Sequence, residues 1–238
     1  MKKIAGPRLP LFTKSQSEAL MSSFDFLGMN YYTSVYVSDN SNRSREGISS
    51  FQADMAADMR GFFSLLLEFA QIVAFLTLKI TSYSPSVEKN DSPAHHPFLP
   101  VRVPKDFSGL QKLMQHLKKY GNFPIYIHEN GFAMGADSAL NDSSRIEYLN
   151  GYIGSTLDAI RNGADVKGYF VWSFLDVFEF FGGYKKGFGL YHVDFDDKNR
   201  PRTPKLSALW YSDFLKSNTS VAPNIKSPAL AHLSSASL

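Results

Sequence analysis

The chain has 238 residues, 44% of them hydrophobic and 14% aromatic, which suits one large domain or two small ones and excludes global disorder. Its net charge is +3 and its basic residues run no longer than pairs such as Lys118-Lys119 and Lys185-Lys186, whereas nucleic-acid binding needs a clustered basic stripe. It contains no cysteine, which excludes disulfides, thiolate metal sites and cysteine nucleophiles.

In chain order, "MKKIAGPRLPLF" places two lysines ahead of no apolar stretch, so we expect no signal peptide there. The run "FDFLGM" (24–29) reads as a buried strand, followed by Asn30-Tyr31-Tyr32. From Asp106 to Tyr120 a helix is expected, because Leu110, Leu113, Met114 and Leu117 repeat at i, i+3, i+4 and i+7, with Gly121 as its stop. "PIYIH" (124–128) is the second strand. A second helix spans Asp142 to Asn162, burying Ile146, Leu149, Ile153, Leu157 and Ile160, with Asp142 as N-cap and Gly163 as stop. "GYFVWS" (168–173) is the third strand. Thr203-Pro204 marks the start of a third helix, which buries Leu206, Leu209, Trp210 and Phe214.

Strands alternating with helices imply parallel pairing through helical crossovers. Continuously apolar strands fit that arrangement, since both of their faces are covered. Polar residues follow each run: Asn30 to Tyr32, His128 to Asn130, and Asp176 to Glu179. Polar groups at the C-terminal ends of parallel strands are what a barrel or a doubly wound sheet presents. The fold class is α/β. In "PIYIHENGF" (124–132) the second strand runs into Glu129; Asn-Gly is a common turn signal, so a strand meeting a turn accounts for this stretch as well as a functional carboxylate does.

"PIYIHENG" followed by "GYFVWSFLDVFEFFGGYKKGFGLYHVDF" resembles glycoside hydrolase family 1, the β-glucosidase family, and its plant members in particular. "RLPLFTKSQSEALMSSFDFLGMNYYTS" and "RTPKLSALWYSDFL" resemble it too. The resemblance implies a (β/α)8 TIM barrel, of which this chain carries an incomplete portion, strands six to eight with their helices. Residues 1–217 would form that partial barrel, with an atypical segment at 59–100 and a tail at 218–238.

By the same resemblance Glu129 is the catalytic nucleophile, and Tyr32 is the tyrosine whose hydroxyl bonds it. Asn30 lines that corner of the pocket. Trp172 forms the floor under the sugar, where an indole face suits the C–H face of a pyranose. Glu179 accepts hydrogen bonds from distal hydroxyls of glucose. Phe180 stands where many members carry a tryptophan, so one N–H donor to the sugar is missing. Phe188 matches an aromatic lining residue. His128 is expected to pack against neighbours, and Asp176 to be a structural partner. Such a site uses a β-glucoside as substrate, no metal and no organic cofactor.

The family's acid/base glutamate lies in an Asn-Glu-Pro motif, which this sequence lacks. A chain without it would be inactive alone; the alternative is a catalytically silent sugar-binding or interaction remnant. Between Gly61 and Leu78 only Glu68 is charged, but an acidic residue at the centre of a membrane span costs roughly 2.5–3.5 kcal/mol, which argues for a buried or misjoined segment and no membrane association. His95-His96 lacks the i, i+4 spacing of a helical metal pair and reads as a loop. Family members are commonly secreted or vacuolar; the sequons at Asn42, Asn141 and Asn218 do not decide a compartment.

Overall fold

The computed structural model describes residues 6–21, 23–34, 107–135, 140–180 and 182–217, together with the backbone of 36–39 and 57–60. The expectations for 61–78, His95-His96, Asn42, Asn218 and the tail at 218–238 lie outside these residues. The chain divides into two compact units, Met1–Leu27 with Ser34–His95, and Gly28–Thr33 with His96–Leu238.

In the first unit a 3-10 turn, Gly6–Arg8, precedes helix α1, Lys14–Met21. Thr13 and Gln16 cap α1 reciprocally: the Gln16 amide donates to the Thr13 hydroxyl at 3.2 Å, and the Thr13 amide donates to Gln16 Oε1 at 2.9 Å. This is a capping box, which satisfies two otherwise orphaned amides. Strands β2 (Tyr36–Asp39) and β3 (Ala57–Arg60) pair antiparallel, from Tyr36 opposite Arg60 to Asp39 opposite Ala57.

Strand β1, Leu27–Asn30, lies all but its first residue in the second unit. It belongs to a three-stranded sheet ordered β1-β4-β6, where β4 is Ile125–Asn130 and β6 is Val166–Val171. The β4–β6 pair is parallel, as expected from the intervening helix. Among the described residues this sheet does not close into a barrel.

Helix α2, Ser108–Leu117, buries Leu110, Leu113, Met114 and Leu117, the four residues its spacing predicts. Each such side chain contributes about 1.5–3 kcal/mol on leaving water. Helix α3, Ser143–Arg161, buries Ile146, Leu149 and Ile153 as expected. Leu157 and Ile160, assigned to that face, are instead half-buried and 42% exposed respectively, because the buried stripe in the last turns runs through Ser155, Thr156 and Ala159. Gly163 ends α3 at φ +82°, its amide bonded to the Ile160 carbonyl at 2.8 Å; this left-handed conformation favours glycine.

Two helix starts differ from expectation. Asp142 is the N-cap residue of α3 but makes no side-chain cap bond there; its carboxylate turns to Arg145 and Ser207. The last helix, α4, is Leu206–Lys216, with Thr203-Pro204 in strand β9 instead of at its start. Strand β9 (Arg202–Pro204) pairs with β8 (Tyr191–Val193), and proline suits a strand edge that needs no N–H. A further short pair joins β5, Met134–Gly135, to β7, Lys186–Gly187.

Candidate active site

Strand β4 is irregular where it matters. Ile127 faces Tyr169 and Asn130 faces Val171, with a register shift between them. Strand β4 therefore advances three residues there while β6 advances two, reversing the shift between Ile125 and Tyr126, where β6 gains on β4. An extra residue of this kind is a β-bulge, a device that re-aims side chains. Burial follows: Ile125 and Ile127 are buried, and strict alternation would bury residue 129 next. Instead Asn130 is fully buried and Glu129 is half-buried.

The carboxylate so released meets Tyr32, whose hydroxyl donates to Glu129 Oε2 at 2.6 Å. Burial, then the bonded Glu129, push the Tyr32 phenol far above its ordinary range, so it remains a donor. The Tyr32 ring stands edge-on to Phe188, centroids 5.9 Å apart.

A second carboxylate, Glu179, lies within the electrostatic reach of the first. Glu179 Oε1 accepts from the Trp172 indole N–H at 3.2 Å. Burial raises the Glu179 pKa; the indole bond opposes this and the negative charge of Glu129 adds to it. Trp172 is fixed by its main-chain amide, which donates to the Asn130 carbonyl at 2.9 Å. A β-carbon on Gly131 would lie 1.8 Å from the Trp172 carbonyl oxygen, so the chain after Glu129 passes flush against the strand end that carries the indole.

Of the residues expected at the site, the contacts thus bring together Glu129, Tyr32 and Phe188, and separately Trp172 with Glu179. Asn30 ends β1, two residues before Tyr32, and is half-buried. Phe180 is not gathered in: it is 85% exposed on the turn after Glu179. His128 packs its ring near Tyr126 and Phe170, and over Gly28, where a β-carbon would come within 2.4 Å of the imidazole. Asp176 is buried and accepts from Lys205 Nζ at 2.8 Å and from the Gly189 amide at 2.8 Å, with His192 Nδ1 at 3.3 Å. Burial lowers the Lys205 pKa, and the bond to Asp176 opposes the shift. Among the described residues no cluster of histidine and acidic side chains could hold a metal ion, and no helix is long and apolar enough to cross a membrane.

Sequence reasoning missed the supporting layer. Arg145, fully buried, pairs with Asp142 at 2.7 Å and donates to the carbonyls of Phe132, Phe188 and Gly187. It fastens the loop after β4 to the segment carrying Phe188. Asn130 Nδ2 donates to the Tyr31 carbonyl at 2.7 Å and to the Tyr148 hydroxyl at 3.2 Å, and the Tyr169 hydroxyl donates to Asn130 Oδ1. One signal was available: Arg145, Tyr148 and Tyr152 recur at i, i+3 and i+7, which puts them on one face of α3.

A profile of glycosyl hydrolase family 1 matches residues 1–220. Rice β-glucosidase 22 is 47% identical over 230 residues, covering 95% of this chain and 38% of the rice protein. A cyanidin 3-O-glucoside 7-O-glucosyltransferase (acyl-glucose) from Delphinium grandiflorum is 40% identical over 227 residues, covering 94% of this chain and 38% of that protein. Among solved structures, a rice β-glucosidase mutant in a covalent complex with Glc superposes with a TM-score of 0.67 at 30% identity, over 91% of this chain and 41% of that one. The chain spans under two fifths of the length of the rice and Delphinium relatives. With its ordered motifs and this coverage, the chain belongs to glycosyl hydrolase family 1.

Proposed function

We propose that this chain carries the nucleophile side of a retaining β-glucosidase site. The observation that carries the reading is the 2.6 Å bond from the Tyr32 hydroxyl to Glu129 Oε2, since a nucleophilic carboxylate needs one fixed rotamer to attack in line. A Glu129 oxygen attacks the anomeric carbon of a terminal β-glucoside. The bond to the aglycone oxygen breaks, its electron pair leaves with that oxygen, and a general acid supplies the proton. Water then attacks the same carbon, gives a proton back to the deprotonated general acid, and releases glucose with retention as the Glu129 carboxylate is restored. Trp172 underlies the sugar ring, Glu179 accepts from its distal hydroxyls, and Asn30 and Phe188 line the pocket, while Phe180, exposed after Glu179, supplies no N–H donor to the sugar. No metal or organic cofactor takes part.

On this reading β1, β4 and β6 are the sixth, seventh and eighth strands of a (β/α)8 barrel, with 59–100 a replaced loop and 218–238 a tail. The sequence contains no Asn-Glu-Pro motif, so the acid comes from outside this chain, and the chain alone does not hydrolyse unactivated glucosides. That same absence favours the second reading, a silent sugar-binding or interaction remnant.

Incubation with 2,4-dinitrophenyl 2-deoxy-2-fluoro-β-glucoside separates the two. Its phenolate leaves without a proton, and the fluorine slows hydrolysis of the ester formed. A mass increase of one fluoroglucosyl group mapped to Glu129 supports the nucleophile reading. Labelling that persists in Glu129→Gln overturns it, and no labelling of the parent chain selects the silent remnant.

A further inference from the structure

Three main-chain points hold the segment that delivers the Tyr32 phenol. The Tyr31 amide donates to the Glu129 carbonyl at 2.8 Å. The Tyr31 carbonyl accepts from Asn130 Nδ2 at 2.7 Å. The Tyr32 carbonyl accepts from the Tyr148 hydroxyl at 2.6 Å. Tyr148 comes from α3, 116 residues further along the chain.

Tyr148 is 1% exposed and is held by its ring as well as its hydroxyl. The ring centroid lies 4.6 Å from that of Tyr152 and 5.2 Å from that of Phe132. The hydroxyl spends its proton on the Tyr32 carbonyl and uses a lone pair to accept from Asn130 Nδ2 at 3.2 Å. Asn130 directly follows Glu129. A closed circuit results: Glu129 to Asn130 along the chain, Asn130 to Tyr148, Tyr148 to the Tyr32 backbone, and the Tyr32 phenol back to Glu129. A hydrogen bond of 2.6 Å is lost when its donor moves by less than about an ångström, and a phenol at the end of a tyrosine magnifies any tilt of its own peptide plane.

We propose that Tyr148 is a positioning residue, whose bond to the Tyr32 carbonyl sets the Tyr32 phenol on Glu129 and so fixes the attacking carboxylate. The inference deepens the nucleophile reading and rests on it. Tyr148 acts through Tyr32 and does not itself touch the sugar.

The test is the Tyr32 hydroxyl proton, observed in the folded chain by NMR through carbon-13-labelled tyrosine and assigned by its loss in Tyr32→Phe. In Tyr148→Phe this resonance should move upfield and its exchange with solvent should quicken about tenfold, the ratio that loss of one hydrogen bond sets. Tyr120→Phe, at a tyrosine 66% exposed, should leave it unchanged. An unaltered Tyr32 resonance in folded Tyr148→Phe overturns the proposal. If that variant does not fold, the unsubstituted chain decides: deuterium at the Tyr148 hydroxyl should shift the Tyr32 carbonyl carbon, and absence of the shift overturns the proposal.

The reactive arm follows fluoroglucosyl labelling. Tyr148→Phe should label about tenfold more slowly, and adding it to Tyr32→Phe should slow that variant no further, since both act through one bond. Independent, multiplying effects overturn the proposal. A parent chain that takes no label removes the nucleophile reading, and the hydroxyl resonance alone then decides for or against Tyr148.

Discussion

The Asp142 carboxylate caps a helix that is not its own: it accepts the Ser207 amide at 2.8 Å and the Ser207 hydroxyl at 2.6 Å, at the start of α4. The same group neutralises Arg145, which is equally buried. Asp142→Ala should therefore remove a cap and leave a buried guanidinium unpaired, at a cost of about 3–5 kcal/mol. Urea unfolding followed by tryptophan fluorescence measures this. A loss under about 1 kcal/mol would show that the pair contributes little.

Two glycines should respond differently to the same added methyl. At Gly131 the obstacle is the Trp172 carbonyl at 1.8 Å, which belongs to the backbone and cannot rotate aside. At Gly28 it is the imidazole of His128 at 2.4 Å, an exposed side chain that can turn away. We expect Gly131→Ala to destabilise by more than about 3 kcal/mol and Gly28→Ala by about 1 kcal/mol. Equal midpoints in urea would contradict the distinction.

Tyr32→Phe deletes a charge-assisted hydrogen bond while keeping the ring against Phe188. Fluoroglucosyl labelling of Glu129 should slow by about 10–100-fold, the rate equivalent of such a bond, with far-ultraviolet circular dichroism unchanged. Labelling at the parent rate would detach the phenol from the chemistry.

The raised pKa of Glu179 has two consequences with a fixed sign. Its value lies above the ordinary 4.5, so the folded chain binds the proton more tightly than the unfolded chain. The resulting stability is fully present below about pH 4.5 and is lost as pH rises through the folded-state value. Glu179→Gln should flatten the dependence of the urea midpoint over that window. Sugar binding runs the opposite way, since the ionised form is the better acceptor. Calorimetric affinity for glucose should fall on acidification already above pH 4.5, and a pH-independent affinity would exclude Glu179 as the acceptor.

Catalysis gives the fifth expectation. General acid assistance is worth about 10²–10⁴-fold, and positioning by the rest of a sugar subsite at least as much. The purified chain should not turn over cellobiose or alkyl β-glucosides. Co-expression with the N-terminal portion of a plant family member bearing Asn-Glu-Pro should restore hydrolysis, and Glu129→Gln should abolish it again. Cellobiose turnover by the chain alone would show that it holds its own acid.

Local patterns carried far in the reading of this sequence. The spacing of Leu110, Leu113, Met114 and Leu117 specified the buried face of α2 because that face is set by helical period alone. The family was legible through the ordered motifs around Glu129, Trp172 and Glu179. What stayed hidden depends on residues distant in the chain. Tyr148 reads as one more aromatic on a helix until the fold brings the Tyr32 carbonyl to it. Thr203-Pro204 looks like a helix start because nothing local shows that the cap comes from Asp142, 65 residues from Ser207. The bulge in β4 was equally invisible, since it is a relation between two strands.

That bulge ties the aim of Glu129 to a count. The one-residue excess of β4 between Ile127 and Asn130 cancels the opposite shift between Ile125 and Tyr126, so the strands are back in step where Asn130 faces Val171. Deleting His128 would remove that excess and leave the first shift uncompensated. Asn130 would then lose its place against the Tyr31 carbonyl and the Tyr148 and Tyr169 hydroxyls that it bonds. A deletion that leaves Glu129 in the sequence would thus shift the strand that sets its carboxylate against the Tyr32 hydroxyl.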